Sequence, residues 1–185
     1  MIRWALLLMI TIPSIACGAE VAGVTLADTV NVDGKILHLS GAGIRTKFFF
    51  DIYVGALYRP EPVHNAATVL ETPAPSAVTM DFIYKEVSSE KLAHGWSEGF
   101  RKNLSRETLQ KLESRLTKFN ALFSDARRGD RYRFDFLSDG STVVQFNGKV
   151  VGRIDGADFQ RALLAVWLGD SPADADLKRA MLGEQ

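Results

Sequence analysis

Apolar residues recur at three- and four-residue steps in the middle of the chain, and this spacing predicts two amphipathic helices. The first is expected to begin at Ser88 or Ser89, with Glu90 in its first turn, where a carboxylate interacts favourably with the helix dipole. Ser105 is placed to cap the second helix. The two apolar stripes fit a buried core better than a cofactor site. Their members are Leu92, Trp96, Phe100 and Leu104, then Leu109, Leu112, Leu116, Phe119 and Phe123.

Further along, over residues 131–154, the apolar period changes to two, which is typical of strands with one buried face. Asp139-Gly140 and Asn147-Gly148 are two-residue turn sequences that join antiparallel strands. Together they predict a three-stranded β-meander. Asp33-Gly34 predicts an earlier hairpin within residues 24–39 for the same reason.

Shorter patterns predict the remaining elements. Residues 78–84 alternate as a strand, and residues 65–70 suit a short helix. A third helix is expected over residues 157–168. Residues 171–174 then predict the start of a fourth, with Ser171 as cap and a proline at the first helical position. No internal repeat or linker interrupts residues 20–185, so we predict one α+β domain there.

The stretch from Gly41 to Pro60 combines one cation with a long apolar run. The run, Phe48–Tyr58, predicts a strand or bent strand that is buried on at least one face. The glycines at 41 and 43 predict a bend in the backbone before it rather than a cofactor-binding loop. Arg45 lies between these glycines and the run. In such a place a guanidinium extends to water, pairs with a carboxylate or binds an anionic ligand.

The first 19 residues have the pattern of a secretory signal peptide, with Arg3, a short apolar core and small residues before Ala19. The apolar core is too short for a stable membrane span. Cleavage after Ala19 would remove Cys17, the only cysteine, and leave no thiol or disulfide in the mature protein. The alternative is a lipoprotein that is acylated at Cys17. We therefore expect a periplasmic or secreted protein, with lipid anchoring as the alternative.

Charge and motifs exclude several classes of function. The 22 basic and 22 acidic residues balance, so nothing predicts a nucleic-acid partner. His38, His64 and His94 lack the spacing of metal ligands, and no phosphate-binding, dinucleotide-binding or G-x-S-x-G motif is present. We therefore predict no metal site and no cofactor. The residue patterns alone lead to a secreted α+β domain whose candidate site for an anion is Arg45.

Several short motifs, in this order of elements, resemble the bacterial chalcone isomerase-like proteins. The resemblance extends over residues 24–183. It implies an open-faced β-sandwich, in which helices pack on one face of a large antiparallel sheet and leave a cleft between the layers. The motifs are GAGIR around Arg45, Y-x-x-A-L-Y from Tyr53 to Tyr58, N-G-K-x-x-G from Asn147, W-L-G-D-x-P from Trp167 and L-x-x-A-x-L-G from Leu177.

The resemblance also implies which residues form a site. Plant isomerases of this fold use an arginine to steer an oxyanion, and Arg45 matches it. Their threonine, tyrosine and asparagine fall near Tyr53, near Ser88 and near Gly95 or Trp96, so most of the catalytic set is missing and we predict no catalytic residue. The fatty-acid binders of the fold keep an arginine and a tyrosine for the carboxylate. Which tyrosine faces Arg45 depends on strand register. The predicted ligand-binding residues are Arg45, Tyr53, Tyr58 and Trp96.

Three hypotheses about function follow. The leading one is a non-catalytic protein that binds a small anionic amphiphile, such as a fatty acid, near Arg45. The second is an isomerase or lyase for an enone or phenolic compound, with Arg45 stabilising an oxyanion. The third is a structural or partner-binding module in which Arg45 pairs internally with Asp51 or Asp81. The candidate apolar walls of a ligand site are Phe48, Phe50, Ile52, Phe82, Trp96 and Phe100.

Overall fold

Eleven β-strands lie between Ala19 and Glu184, the residues that the structure, a computed structural model, describes. Seven of them form one sheet in the order β11-β10-β9-β6-β5-β4-β3, and all its neighbouring strands are antiparallel. β1 pairs with β2, and β7 pairs with β8. Residues 1–18 of the predicted signal peptide, which include Cys17, lie outside the described residues. The strands are β1 Glu20–Val21, β2 Val24–Thr25, β3 Thr29–Val32, β4 Lys35–Lys47, β5 Phe50–Arg59, β6 Ser76–Phe82, β7 Glu86–Val87, β8 Ala126–Arg127, β9 Arg131–Phe136, β10 Thr142–Phe146 and β11 Lys149–Ile154.

Five helices accompany the strands in this part of the chain, and none of them has the length and apolar character needed to span a bilayer. The predicted caps of the second and third helices are confirmed. The side chain of Ser88 accepts a hydrogen bond from the backbone N–H of Lys91, and that of Ser105 accepts one from Thr108. The helices are α1 Ala66–Glu71, α2 Ser89–Asn103, α3 Arg106–Asn120, α4 Ala157–Leu168 and α5 Ala175–Met181.

The predicted start of the last helix is wrong by several residues. Helix α5 begins at Ala175, and its cap is Asp174, whose carboxylate accepts hydrogen bonds from the backbone N–H groups of Asp176 and Leu177. Ser171 lies outside the helix, where its backbone N–H donates to the side chain of Asn103. Serine and aspartate are both good helix caps, so sequence alone does not choose between two of them three residues apart.

Two apolar clusters lie on opposite faces of the large sheet. Strand β5 separates them, because Tyr53 and Leu57 belong to the larger cluster whereas Val54, Ala56 and Tyr58 belong to the smaller one. Every helix packs against the larger cluster, so the helices share one face. This arrangement confirms the open-faced α+β sandwich. The helical residues in the larger cluster include Val69 of α1, Leu92 of α2, Leu112 of α3, Phe159 of α4 and Leu177 of α5.

The apolar run after Arg45 is not a single strand. Strand β4 continues to Lys47, the chain turns at Phe48 and Phe49, and β5 begins at Phe50, opposite Lys47. Both turn residues have positive φ angles, +48° and +71°. Such two-residue turns usually contain glycine, asparagine or aspartate, which adopt positive φ most easily. The turn was missed because aromatic residues occupy both positions.

Residues 40–43, where the glycines predicted a bend, lie within β4, next to a register shift between Leu39 and Gly41. Such an irregularity bends a strand without ending it. A close approach explains the glycine at 41. A Cβ atom there would lie 2.1 Å from the backbone oxygen of Ala180 at the end of α5. Glycine therefore allows the last helix to pack directly on the strand that carries Arg45.

The β-meander is confirmed, and its first turn is held by Asp139. The side-chain and backbone donors of Ser141 bind Oδ1 of Asp139, at 2.6 Å and 2.9 Å, and Arg153 donates to Oδ2 at 2.5 Å. These bonds lower the pKa of the Asp139 carboxyl to about 2. The ionised form is therefore favoured in the folded protein.

We expect Asp139→Asn to lower the melting temperature at pH 7 but not near pH 2. A lowered carboxyl pKa contributes stability above the unfolded-state value of about 3.9. That contribution is lost as the pH falls through about 2, the folded-state pKa. Thermal unfolding between pH 7 and pH 2 measures the difference, with Asp170→Asn, at an exposed position, as control. If the difference in melting temperature between wild type and Asp139→Asn stayed constant over this pH range, the lowered pKa of Asp139 would be contradicted.

Candidate functional site

A cavity of about 600 Å³ lies between helix α2 and the strands around Arg45. Its size falls in the range of small-molecule binding sites, and apolar side chains form much of its wall. Strands β4, β5 and β6 form one side, and helices α2 and α4 contribute the other. The lining residues are Arg45, Lys47, Phe48, Phe50, Ile52, Tyr53, Met80, Tyr84, Glu86, Val87, Glu90, Lys91, Leu92, His94, Gly95, Trp96, Val166 and Ala173.

Arg45 lines this cavity, and one of its hydrogen-bond donors has no partner among the described residues. Strand register places Arg45 opposite Tyr53, and its Cζ atom lies 5.7 Å from the centre of the Tyr53 ring, within cation–π range. The Nε atom of Arg45 is buried and has no hydrogen-bond partner among the described residues. Within Ala19–Glu184, Arg45 also forms no salt bridge. A buried donor without an acceptor costs free energy, so an acceptor from a ligand would relieve this cost.

The predicted internal partners of Arg45 are bound elsewhere. Asp51 accepts a hydrogen bond from the hydroxyl of Thr46 at 2.9 Å. Asp81 pairs with Nε of Arg131 at 2.5 Å, outside the cavity. The pairing of Arg45 with either carboxylate, on which the structural hypothesis depended, is therefore wrong.

Tyr53 is the tyrosine that belongs to the site. It lines the cavity, and its hydroxyl oxygen accepts a hydrogen bond from Nε1 of Trp167 at 3.0 Å. Burial raises the pKa of the Tyr53 hydroxyl, an effect larger than the opposing charge of Arg45. The hydroxyl is therefore protonated at neutral pH and can itself donate a hydrogen bond.

Tyr58 does not meet the other predicted site residues. It lies five positions after Tyr53, so the alternation of β5 directs it to the smaller cluster on the other face of the sheet. It does not line the cavity. The register left open by the sequence is thus the one that places Tyr53 beside Arg45.

Trp96 approaches the cavity from helix α2 and provides a second donor without a partner. Its Nε1 atom is buried and has no hydrogen-bond partner among the described residues. The indole is held in place by aromatic neighbours whose ring centres lie 5.3–5.5 Å away. Two residues that line the cavity, Arg45 and Trp96, thus each have a buried N–H group without an acceptor among residues 19–184. The neighbours of the indole are Phe119, Phe123, Phe134 and Trp167.

Four of the six predicted wall residues line the cavity, and two do not. Phe82 and Phe100 are fully buried in the larger apolar cluster, where they support the sheet and helix α2. Of the others, Phe48 lies in the turn, Phe50 and Ile52 lie on β5, and Trp96 lies on helix α2. The four that line the cavity are Phe48, Phe50, Ile52 and Trp96.

The sequence as a whole matches a known family. A family model described as chalcone isomerase-like matches residues 18–183. The chain belongs to the chalcone isomerase-like family. No curated protein matches it. A solved structure with a similar fold is that of a fatty-acid binding protein from Arabidopsis thaliana, at 15% sequence identity and a TM-score of 0.64. The match covers 86% of this chain and 92% of the plant protein, and at this identity it shows a shared fold.

In this chalcone isomerase-like protein, charged residues around the cavity were not predicted as site residues. Glu90, Lys91 and His94 are exposed and line the cavity. They lie on helix α2, where residues three or four positions apart share a face. His94 lies four positions after Glu90 and three after Lys91, so the three share a face with one another. They lie six, five and two positions from Trp96, so helical spacing from Trp96 gave no signal for them. Glu86 also lines the cavity but is paired with Arg127 at 2.9 Å.

Gly95 also lines the cavity, beside Trp96, and was not among the predicted ligand-binding residues. A Cβ atom added to Gly95 would meet no heavy atom within 4 Å. No close approach therefore requires glycine here, although glycine weakens a helix interior. Elsewhere among Ala19–Glu184, no group of three or more His, Cys, Asp or Glu side chains is arranged to hold a metal ion.

Proposed function

We propose that this protein is a non-catalytic carrier that binds a small anionic amphiphile, with a fatty acid as the first candidate. The observation that carries the proposal concerns Arg45, which lines an apolar cavity and whose buried Nε–H has no acceptor among the described residues. We also propose that the protein acts outside the cytoplasm. The mass of the protein purified from its host would distinguish a start at Glu20 from an acylated Cys17.

The chemistry of the wall suits a carboxylate with an apolar tail. A guanidinium can donate two parallel hydrogen bonds to a carboxylate, and its charge makes these bonds stronger than neutral ones. Tyr53 and Trp96, whose side chains carry neutral donors, line the same cavity. Each methylene buried against the apolar walls would contribute about 0.8 kcal/mol. The plant protein with a similar fold is described as a fatty-acid binding protein, which supports this ligand class.

The positions that correspond to the polar catalytic residues of the isomerases support a role without catalysis. Ser88 uses its side chain to cap helix α2. Gly95 has no side chain, and Trp96 offers a donor but no general base. Arg45 is therefore the one member of the isomerase set that this chain keeps at the cavity.

A comparison of a fatty acid with its methyl ester tests the proposal. We expect palmitate to bind at least about tenfold more tightly than methyl palmitate, because a charge-assisted hydrogen bond contributes about 1.5–3 kcal/mol. Both ligands have the same tail, so the difference reports the carboxylate alone. Isothermal titration calorimetry or displacement of a fluorescent fatty acid measures both affinities at pH 7.5.

Two results would contradict the carrier. If neither ligand binds, the cavity does not serve long-chain amphiphiles. If both bind equally, Arg45 does not recognise the head group. The isomerase alternative has one observation in its favour, since His94 and Glu90 could act as bases across the cavity from an oxyanion held by Arg45. Turnover of a chalcone above the uncatalysed rate would favour that alternative.

A further inference from the structure

The turn between β4 and β5 exposes three consecutive phenylalanine side chains. Phe48 is 79% exposed, Phe49 is 100% exposed and Phe50 is 55% exposed. We refer to Phe48–Phe50 as the aromatic tip. Single apolar residues are common on protein surfaces, but contiguous apolar patches usually mark an interaction site.

The backbone of the aromatic tip gives no structural reason for these residues. Phe48 and Phe49 have φ angles of +48° and +71°, a conformation that glycine, asparagine and aspartate adopt with less strain. Phe49 is fully exposed and so gains no burial that could offset this strain. Neither the turn nor the core therefore explains a phenylalanine at position 49.

The aromatic tip is continuous with the cavity. Lys47, Phe48 and Phe50 all line it, so the outer surface of the turn leads directly to the inner wall. The Nζ atom of Lys47 lies 5.8 Å from the centre of the Phe48 ring, which places a cation beside the exposed rings. On the other side of the turn, Asp51 is engaged with the hydroxyl of Thr46.

We propose that the aromatic tip inserts into the interface of a lipid bilayer that contains anionic lipid, and so brings the mouth of the cavity to the membrane surface. Exposed aromatic side chains beside a lysine are typical of segments that lie at the boundary between head groups and acyl chains. This inference does not rest on the identity of the ligand, because it concerns the outside of the turn.

A second copy of the chain is the less suitable occupant. A two-residue turn is narrow and convex, and two such turns cannot interlock over a wide surface. At about 200 Å² for a fully buried phenylalanine, the aromatic tip could bury about 500 Å² per copy. A symmetric pair would then fall below the roughly 1,200 Å² at which stable interfaces begin. A bilayer sets no such requirement on shape or area.

Vesicle binding by Phe49→Asn tests the proposal. Phe49 does not line the cavity, and asparagine suits its backbone conformation, so we expect an unchanged or higher melting temperature. We expect the wild-type protein to co-sediment with vesicles of phosphatidylcholine and phosphatidylglycerol at 3:1. The variant should partition about tenfold more weakly, since burial of one phenylalanine corresponds to at least about that factor.

Ile36→Asn is the matched control. Ile36 is 63% exposed and lies near the opposite end of β4, so its replacement removes an exposed apolar side chain away from the aromatic tip. The proposal is overturned if the wild type does not sediment with vesicles, or if Phe49→Asn and Ile36→Asn weaken vesicle binding by the same factor. It is also overturned if Phe49→Asn changes only the oligomeric state, measured by analytical ultracentrifugation. Fatty-acid binding is measured separately, in the absence of vesicles. A failure of the proposed carrier function can therefore be distinguished from a failure of membrane binding.

Discussion

Replacing Arg45 with glutamine should weaken the binding of palmitate by at least about 30-fold without destabilising the protein. Loss of one partner of a buried, hydrogen-bonded charge pair costs at least about 2 kcal/mol, which corresponds to this factor. Without ligand, however, Nε of Arg45 is buried and has no acceptor within the part of the chain that the structure describes. Its removal should therefore leave the free energy of unfolding unchanged or raise it. Calorimetric titration and thermal unfolding measure the two effects on the same sample.

The control for Arg45→Gln is Lys47→Gln. Lys47 lies two positions along the same strand and also lines the cavity, but it is exposed. Exposed ion pairs contribute at most about 1 kcal/mol, so the affinity of Lys47→Gln for palmitate should fall by less than about fivefold. Methyl palmitate should bind equally to wild type and Arg45→Gln, because it has no carboxylate. A palmitate affinity of Arg45→Gln equal to that of wild type would remove Arg45 from the site.

Local signals predicted much of the fold. The caps at Ser88 and Ser105 and the turn at Asp33-Gly34 are set by residues a few positions apart, and the structure confirms all three. The turn at Phe48-Phe49 has no such signal, because its residues oppose the backbone conformation that they adopt. Its position is instead set by the pairing of the long strands β4 and β5.

The candidate site was predicted only in part, because some of its features depend on residues that are distant in sequence. Arg45 is prominent in sequence because it is a cation beside an apolar run. That it has no partner among residues 19–184 depends on distant residues, since Asp81 is bound by Arg131, which lies 50 positions further along the chain. Tyr53 could be separated from Tyr58 only when the register of β4 and β5 was known. Cavities depend on how helices and strands pack together, and local sequence patterns do not predict this packing.

Gly95 offers a way to fill the cavity without disturbing the fold. It lies within helix α2 next to Trp96, and a Cβ atom there would meet nothing within 4 Å. Glycine in a helix interior is less stable than alanine by about 0.8–1.0 kcal/mol. We therefore expect Gly95→Ala to raise the free energy of unfolding by about that amount and to leave palmitate binding unchanged.

Gly95→Leu should keep the gain in stability and lose the binding. A leucine side chain that displaces three or four methylenes of the tail, at about 0.8 kcal/mol each, removes about 3 kcal/mol, or roughly 100-fold in affinity. Gly95→Ala is the matched control, since both variants gain helix propensity and only leucine fills space. A stable Gly95→Leu that binds palmitate like wild type would place the ligand outside this cavity.

The two substitutions, at Arg45 and Gly95, should act on different parts of the ligand. Arg45→Gln removes the preference for palmitate over methyl palmitate, because it acts on the head group. Gly95→Leu should weaken acid and ester by the same factor, because both have the same tail. The double variant should therefore lose affinity additively, as expected for sites that do not share a contact. If Gly95→Leu abolished the acid preference as well, the carboxylate would lie beside helix α2 rather than at Arg45, and the proposed orientation of the ligand would be wrong.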